Sequence, residues 1–414
     1  MKEQGRSQPR WTRRRLGAVT VVVIAATALG ACSSSSSSSS TTAPLKIGMS
    51  LPLTGPVADN SKSGYEGYKL WASDVNSAGG LLGRQVRLDV LDDGFEPNQC
   101  GANYTRLISQ NKVDLLLGTF SSLLNAPASA IAARQGMLYI EPSGGSASLF
   151  TRGFTNLFFA QPAVTTNLPD QFVAWVTALP ASQRPKTAAY VTQDDPGASP
   201  AVAIFKTKFE SLGIKTVYSE TYDPSTSNFD TIGSAVAHAA PELVIHGAVA
   251  DDGAQFVRSL EKLSFSPKIF FQTKTPSDDT YPGAIGARNT EGVFTAQAWN
   301  PQAKYPGNAD FVAAYTKMFG HAPTEDAANS YTAGQVLAAA VKAVGRIDQA
   351  ALATWLHANT VDTIVGPLKW DSTGVPGGTL LLAQWQSGTL HIVAPKSAAT
   401  TTQVVNPKPA WSSS

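Results

Sequence analysis

The chain has 414 residues, of which 43% are hydrophobic and 15% charged, a composition typical of globular proteins rather than of disordered or collagen-like chains. At roughly 100–200 residues per domain, this length accommodates two packed domains. The formal net charge of +2 comes from the N-terminus, because the first 31 residues hold six basic residues and one acidic residue. The rest of the chain is slightly acidic and has no basic cluster, so we expect no nucleic-acid partner.

The N-terminal segment, residues 1–31, has the pattern of a secretory signal peptide. A run of three arginines precedes an apolar stretch from Leu16 to Leu29, and small residues stand directly before Cys32. The apolar stretch has 14 residues, fewer than the roughly 20 that a transmembrane helix needs. Within residues 32–44, an unbroken serine run from Ser33 to Ser40 follows Cys32 and predicts a flexible tether.

The four residues Leu29-Gly30-Ala31-Cys32 resemble the lipobox of bacterial lipoproteins. In that class of protein the cysteine is lipidated and becomes the new N-terminus. The alternative is an ordinary signal peptide beside a chance cysteine, but the cleavage position and the tether favour lipidation. We therefore expect an extracytoplasmic protein anchored through a lipid on Cys32, either in the periplasm or on the outer face of the plasma membrane.

The body of the chain alternates strand and helix patterns in two series. The first series begins at Leu45 and ends at Ile140, and the second resumes after Thr165. A repeated strand–helix order predicts parallel sheets that are covered by helices on both faces. Two series predict two α/β lobes, and ligands bind outside the carboxyl ends of strands in such sheets.

Three stretches of the body resemble the leucine/isoleucine/valine-binding proteins of bacterial ABC importers. They are Leu53-Thr54-Gly55-Pro56-Val57-Ala58 with Gly79-Gly80-Leu81-Leu82-Gly83 after it, Asp92-Asp93 with Pro97 after it, and residues 358–371 with Gly374 after them. The third stretch is the most specific, because its order and spacing follow the family over 17 residues. The resemblance implies the type I periplasmic-binding-protein fold, with two Rossmann-like lobes, a ligand cleft between them and three hinge crossovers.

The implied fold sets the expected domain boundaries. We expect crossovers near Val164, Gly292 and Val365. Lobe 1 and lobe 2 are then discontinuous, with residues 45–164 and 292–365 in lobe 1 and residues 165–291 and 366–395 in lobe 2. Residues 396–414 are rich in alanine, serine, threonine and proline and are expected to form a loose tail.

Two loops of lobe 1 are expected to bind an acceptor-rich group of the ligand. Ser121 and Ser122 precede a predicted helix, whose first amides favour an anion. Ser143, Gly144 and Gly145 follow the fourth strand, and glycine allows the backbone to approach a ligand closely. The resemblance implies that both loops hold a carboxylate. The alternatives are a helix N-cap for the serines and a bare turn for the second loop.

Lobe 2 departs from the family pattern. The amino-acid binders pair the ligand's ammonium with a glutamate late in lobe 2, and the aligned residue here is Thr275. Family aromatic residues of the pocket align with Asn60 and Asp326, among others. Because an unpaired buried ammonium is costly, either Asp195 or Asp326 replaces the glutamate or the ligand has no ammonium. The alternative roles are a loop aspartate for Asp195 and a helix N-terminal aspartate for Asp326.

The motifs of the common enzyme classes are absent from the sequence. It contains no Gly-x-Ser-x-Gly, no His-Glu-x-x-His and no Gly-x-Gly-x-x-Gly after a strand, and its five histidines lack metal-ligand spacing. We therefore expect no enzymatic activity, no cofactor and no metal.

The resemblance implies that the protein is a monomer that captures a small polar or amphipathic molecule and delivers it to an ABC importer permease. We expect that molecule to be of the amino acid, amide or carboxylate class. The alternative function is that of a ligand-sensing receptor subunit without transport.

Overall fold

The computed structural model describes residues 43–278 and 280–411. The predicted signal peptide, Cys32 and residues 32–42 of the predicted tether lie outside the described residues, as do residues 412–414. Among the helices within the described ranges, none combines the length and the apolar character needed to cross a membrane.

Five parallel strands form the first sheet, in the order β2-β1-β3-β4-β5. They are Leu45–Leu51 (β1), Val86–Asp92 (β2), Leu115–Leu117 (β3), Tyr139–Glu141 (β4) and Leu157–Phe159 (β5). In the interior strand β1, Ile47 and Met49 have no exposed surface, and Gly48 and the polar Ser50 are also buried. Burial on both faces is typical of a parallel sheet that helices cover on each side.

Six helices cover the first sheet, three from early and three from late in the chain. They are Ala58–Ser77 (α1), Pro97–Ser109 (α2), Ser122–Arg134 (α3), Asn308–Phe319 (α9), Glu325–Val344 (α10) and Gln349–Ala358 (α11). Helices α1 and α10 pack closely because two glycines face the partner helix. A Cβ on Gly67 would lie 2.0 Å from the Ala327 carbonyl oxygen, and one on Gly334 would lie 2.3 Å from the Trp71 ring.

Seven strands form the second sheet, in the order β14-β13-β10-β9-β8-β6-β7. They are Thr187–Gln193 (β6), Lys215–Tyr222 (β7), Leu243–Gly247 (β8), Ile269–Gln272 (β9), Val293–Gln297 (β10), Leu381–Gln386 (β13) and Thr389–Ala394 (β14). Five helices belong to this half of the molecule, namely Pro169–Ala178 (α4), Ser199–Ser211 (α5), Asp230–Ala239 (α6), Asp252–Lys262 (α7) and Tyr281–Ile285 (α8). Strands β6 to β10 are parallel, whereas β13 runs antiparallel to both β10 and β14.

The chain passes between the two sheets three times, and two of these crossings differ from the expected positions. Strand β10 pairs with β9 and β13, so the second crossing follows Gln297 instead of lying near Gly292. The hairpin of Val361–Thr363 (β11) and Gly366–Leu368 (β12) precedes Trp370, whose indole donates a hydrogen bond to the Phe159 carbonyl in the first sheet at 2.7 Å. The third crossing therefore follows Trp370 instead of lying near Val365.

The expectation of a loose tail is wrong for residues 396–411, which pack against the second sheet. The Gln384 side chain of β13 exchanges two hydrogen bonds of 2.9 Å with the backbone of Val405. Trp411 is 9% exposed, and its indole donates to the Asn289 carbonyl at 3.0 Å. The Gln384 side chain and the Trp411 indole thus hold the tail, and such isolated contacts produce no periodic pattern in the sequence.

Candidate functional site

A cleft of about 150 Å³ lies where the loops after strands of both sheets meet. Seven of the nine predicted ligand-binding residues line it, namely Ser121, Ser122, Ser143, Gly144, Gly145, Asp195 and Asp326. The other two, Asn60 and Thr275, are not in its lining. The cleft thus brings together both predicted loops of the first sheet and two acids.

The loop after β3 presents an open helix start to the cleft. Ser121 stands at the N-cap of α3 with φ of 70°, and its side chain makes no capping hydrogen bond. Its hydroxyl is buried and has no partner among the described residues. Because the first amides of a helix lack acceptors within the helix, this end can bind an anion through backbone N–H groups and a serine hydroxyl.

Ser122 is oriented to donate a hydrogen bond. Its Oγ accepts the backbone N–H of Ser146 at 3.1 Å. A serine hydroxyl has one proton to donate and two lone pairs to accept with, so the proton of Ser122 remains available to a ligand. The Ser122 hydroxyl also joins the loop after β3 to the loop after β4.

The loop after β4 packs directly onto the start of α3, and this approach requires glycine. Gly144 has φ of +130°, and a Cβ there would lie 2.7 Å from the backbone nitrogen of Ser122. A Cβ on Gly145 would lie 2.7 Å from the Phe159 ring. Both positions therefore exclude a side chain, and the backbone itself forms this wall of the cleft.

Asn125 fixes the geometry of both loops, and the sequence patterns did not single it out. Its buried amide nitrogen donates to the carbonyls of Thr119 at 3.0 Å, Ser121 at 2.9 Å and Ser143 at 2.5 Å. Its Oδ1 accepts the Tyr139 hydroxyl at 2.7 Å. The partners of Asn125 are mostly backbone carbonyls that separate strands supply, which leaves no mark in a local sequence motif.

Asp195 lines the opposite wall, in the loop between β6 and α5. Its Oδ1 accepts the backbone N–H groups of Gly197 at 2.7 Å and Ala198 at 3.1 Å. Burial raises the pKa of Asp195, while these two hydrogen bonds lower it. The carboxylate therefore organises its own loop and also faces the cleft.

Lys274 is a cleft residue that the sequence reasoning missed. Its Nζ lies 2.9 Å from Asp326 Oδ2 and 3.6 Å from Asp278 Oδ1. Burial lowers the pKa of Lys274, but the charges of Asp326 and Asp278 outweigh burial and raise it above its ordinary value. Since Lys274 follows β9 and Asp326 lies in α10, this ion pair joins the two halves of the molecule across the cleft.

Thr275 and Asn60 were expected to contact the ligand, but neither lines the cleft. The Thr275 hydroxyl donates to the Ala250 carbonyl at 2.8 Å and stays within its own half. The side chain that reaches the cleft is that of its neighbour, Lys274. Asn60 lies outside the cleft lining and donates to Asp326 Oδ2 at 3.1 Å, so it supports an acid of the cleft.

Glu325, next to Asp326 at the start of α10, also lines the cleft. Its Oε1 accepts the backbone N–H of Ala298 at 2.5 Å. Burial raises the pKa of Glu325 to about 7, and Lys274 opposes that rise. The charge of this wall of the cleft therefore changes near neutral pH.

The remaining lining is apolar and built mainly from small side chains. These residues are Phe120, Ala163, Leu168, Ala198, Ala248, Val249, Ala296, Ala298 and Leu380. Small apolar side chains around a few polar groups are typical of sites for small molecules. An engineered apolar cavity of about 150 Å³ accommodates benzene, which indicates the size of ligand that this cleft can enclose.

The sequence matches the family model described as "Periplasmic binding protein" over residues 44–389. The chain belongs to this family. An amino acid binding protein of Pseudomonas aeruginosa is 27% identical over 334 residues, which cover 80% of this chain and 87% of the relative. A Leu/Ile/Val-binding protein of Rhizobium johnstonii is 26% identical over 355 residues, which cover 84% of this chain and 93% of the relative.

Solved structures of periplasmic binding proteins share the fold. A leucine binding protein from Thermotoga maritima has a TM-score of 0.74 at 19% identity and covers 84% of this chain and 98% of its own. A solute binding protein from R. palustris in complex with benzoate has a TM-score of 0.75 at 22% identity, with 89% and 98% covered. At these identities the likeness establishes the two-lobed α/β fold, and the predicted fold class is confirmed.

Proposed function

We propose that this protein is a solute-binding lipoprotein that captures a small polar or amphipathic molecule outside the cytoplasm and delivers it to an ABC importer permease. The ligand belongs to the amino acid, amide or carboxylate class. Relatives named for amino acids and a structural neighbour in complex with benzoate support this class.

The observation that carries the proposal is the open donor set at the start of α3. The Ser121 hydroxyl has no partner within the described ranges. The Ser122 hydroxyl accepts a hydrogen bond from Ser146, so its own proton is still available for donation to a ligand. Together with the first amides of α3, these groups can bind a carboxylate by charge-assisted hydrogen bonds. The opposite wall belongs to the other sheet, so a bound molecule would contact both halves and favour their closure.

The proposed location rests on the sequence. Residues 1–31 have the order of a signal peptide, and Cys32 follows the lipobox-like triplet. A serine-rich tether after the lipid would let the folded body reach a permease in the same membrane. The body itself needs no spanning segment for this role.

The test measures ligand binding by native mass spectrometry of the purified protein and by thermal stabilisation. The probes are L-leucine, L-isoleucine, benzoate and 3,4-dihydroxybenzoate. We expect at least one probe or a co-purified small molecule to bind and to raise the melting temperature, because a ligand that binds only the folded state stabilises it.

Ser122→Ala should weaken that binding by roughly tenfold, as expected for loss of a hydrogen bond to a charged group. Ser148→Ala is the matched control, because Ser148 is exposed and lies outside the cleft lining. Equal weakening by both variants, or a protein with neither cargo nor any stabilising probe, would contradict the proposed function.

A further inference from the structure

We propose that Asp195 binds a cationic nitrogen of the ligand, so that the cleft selects zwitterions whose positive and negative groups lie close together. This inference rests on the proposed function. It assigns the cation subsite to the loop between β6 and α5, and not to the loop after β9 where the sequence alignment placed it.

The first observation is that Asp195 has accepting capacity left. Both backbone hydrogen bonds to its carboxylate, from Gly197 and Ala198, go to Oδ1. Its Oδ2 makes no hydrogen bond and no ion pair to any residue in the ranges 43–278 and 280–411. An ionised carboxylate offers about four lone-pair sites, and this one lines the cleft.

The second observation is the short distance between Asp195 and the carboxylate-binding loop. The point where a Cβ on Gly197 would lie is 3.0 Å from Asp195 Oδ1 and 3.9 Å from Ser122 Oγ. The two oxygen atoms are therefore no more than about 7 Å apart. A nitrogen and a carboxylate oxygen on adjacent carbons, each making a hydrogen bond of about 2.9 Å to its own wall, span a gap of that size.

The third observation is that the other acids of the cleft already have partners within the protein. Asp326 pairs with Lys274 at 2.9 Å and accepts from Asn60 at 3.1 Å. Glu325 is 8% exposed, and its Oε1 accepts the backbone N–H of Ala298 at 2.5 Å. A ligand ammonium near either acid would meet the Lys274 ammonium, and like charges in a poorly solvated site repel strongly.

The balance of charges in the cleft also favours Asp195 as the residue that binds a positive nitrogen. A ligand carboxylate at Ser122 would stand close to the carboxylate of Asp195, and two negative charges at that separation oppose each other. A positive nitrogen between them replaces this repulsion with two attractions. A simple monocarboxylate lacks this compensation, so the cleft should discriminate between an amino acid and its analogue without the amino group.

The test compares matched ligands by calorimetry. The probes are the protein L-amino acids and, for each one that binds, the carboxylic acid with hydrogen in place of the ammonium. The wild-type protein should bind the analogue more weakly by roughly tenfold or more, because a charge-assisted hydrogen bond is lost.

Asp195→Asn should abolish most of that preference while keeping an oxygen that accepts from Gly197 and Ala198. The matched control is Asp194→Asn, because Asp194 is exposed and outside the cleft lining; it should retain the preference. The comparison of ligands on the wild-type protein stands even if the Asp195 variant does not fold.

Equal affinity of the wild type for an amino acid and its analogue would overturn the inference. So would unchanged amino-acid binding by the Asp195 variant, or failure of every amino acid to bind. If benzoate or 3,4-dihydroxybenzoate binds while no amino acid does, the inference falls and the proposed function stands.

Discussion

Glu141, the last residue of β4, is a buried acid directly before the carboxylate-binding loop. It has no exposed surface, and neither carboxyl oxygen has a hydrogen-bond partner in the described part of the chain. Burial raises the pKa of Glu141 well above its ordinary value, and Arg152 opposes this only in part. A raised pKa favours the neutral form of Glu141 over a carboxylate beside the neighbouring anion site.

The raised pKa of Glu141 makes the free energy of unfolding depend on pH. An acid whose pKa is raised on folding binds its proton more tightly in the folded state, so its contribution falls as pH rises above the unfolded pKa. Glu141→Gln removes that proton linkage. We expect the variant to be more stable than wild type at pH 8, with a smaller decline between pH 5 and pH 8 in urea unfolding.

The exposed Glu96 provides the matched control, because it lies on the surface. Glu96→Gln should leave the pH profile of unfolding unchanged. A profile of Glu141→Gln that runs parallel to that of the wild type would show that folding does not raise the pKa of Glu141.

The sequence could predict those residues of the candidate site that follow a strand, because ligands of open α/β sheets bind at the carboxyl ends of the strands. Ser121, Ser122 and Gly145 follow short apolar strands, and the carboxyl ends of parallel strands form one edge of the sheet. Lys274 could not be predicted as a cleft residue, because it is the immediate neighbour of Thr275 in a loop, where the sequence has no periodicity to indicate side-chain direction. The structure decides which of the two side chains points to the cleft.

At the scale of elements, the first turn of α10 brings two acids to the cleft. Thr324 caps the helix by accepting the N–H of Ala327 at 3.3 Å, which fixes where the helix begins. Glu325 then accepts from Ala298, and Asp326 pairs with Lys274. Lys274 and Ala298 follow strands β9 and β10 of the second sheet. The first turn of α10 therefore makes polar contacts between the two halves of the molecule.

The ion pair of Lys274 and Asp326 can be tested by a double-mutant cycle. The Asp326 side chain is only 5% exposed, and removing its cation leaves a poorly solvated charge. Lys274→Met should therefore destabilise the protein by about 1–3 kcal/mol. Adding Asp326→Leu should recover part of that loss, since the poorly solvated charge of Asp326 is then removed as well.

Urea unfolding of the wild type, both single variants and the double variant measures this coupling. The exposed pair of Lys262 and Asp230, at 3.0 Å, serves as the control, because exposed pairs contribute little. Additive effects of the two substitutions at Lys274 and Asp326 would show that the ion pair contributes no coupling.

The sequence predicted the individual strands and helices more readily than it predicted which sheet each strand joins. The alternation of apolar strands and amphipathic helices predicted two parallel sheets, and both are present. Strand β10 was assigned to the wrong sheet, because a buried strand has the same apolar composition in either one. Its hydrogen-bond partners, β9 and β13, lie 20 or more residues away along the chain, beyond what a local pattern can specify.

At the scale of the whole molecule, Cys32 is the residue proposed to hold the folded body at the membrane. Cys32→Ala removes the thiol to which a lipid would be attached. We expect the variant to move from the membrane fraction to the soluble fraction, because it lacks the only residue at the proposed lipidation position.

Cys100→Ala is the control for that experiment. Cys100 is fully buried and should not affect membrane attachment. A Cys32→Ala protein that sediments with membranes as completely as the wild type would contradict the proposed anchor.

The interleaved path of the chain also governs the order in which the molecule can fold. The first sheet lacks its covering helix α10 until residue 344 has been made, and β10 lacks its neighbour β13 until residue 386 has been made. An unpaired strand edge and an uncovered apolar face do not form a stable domain. Neither half can therefore complete its folding until most of the 414 residues have been made, so the two halves finish folding late and close together in time.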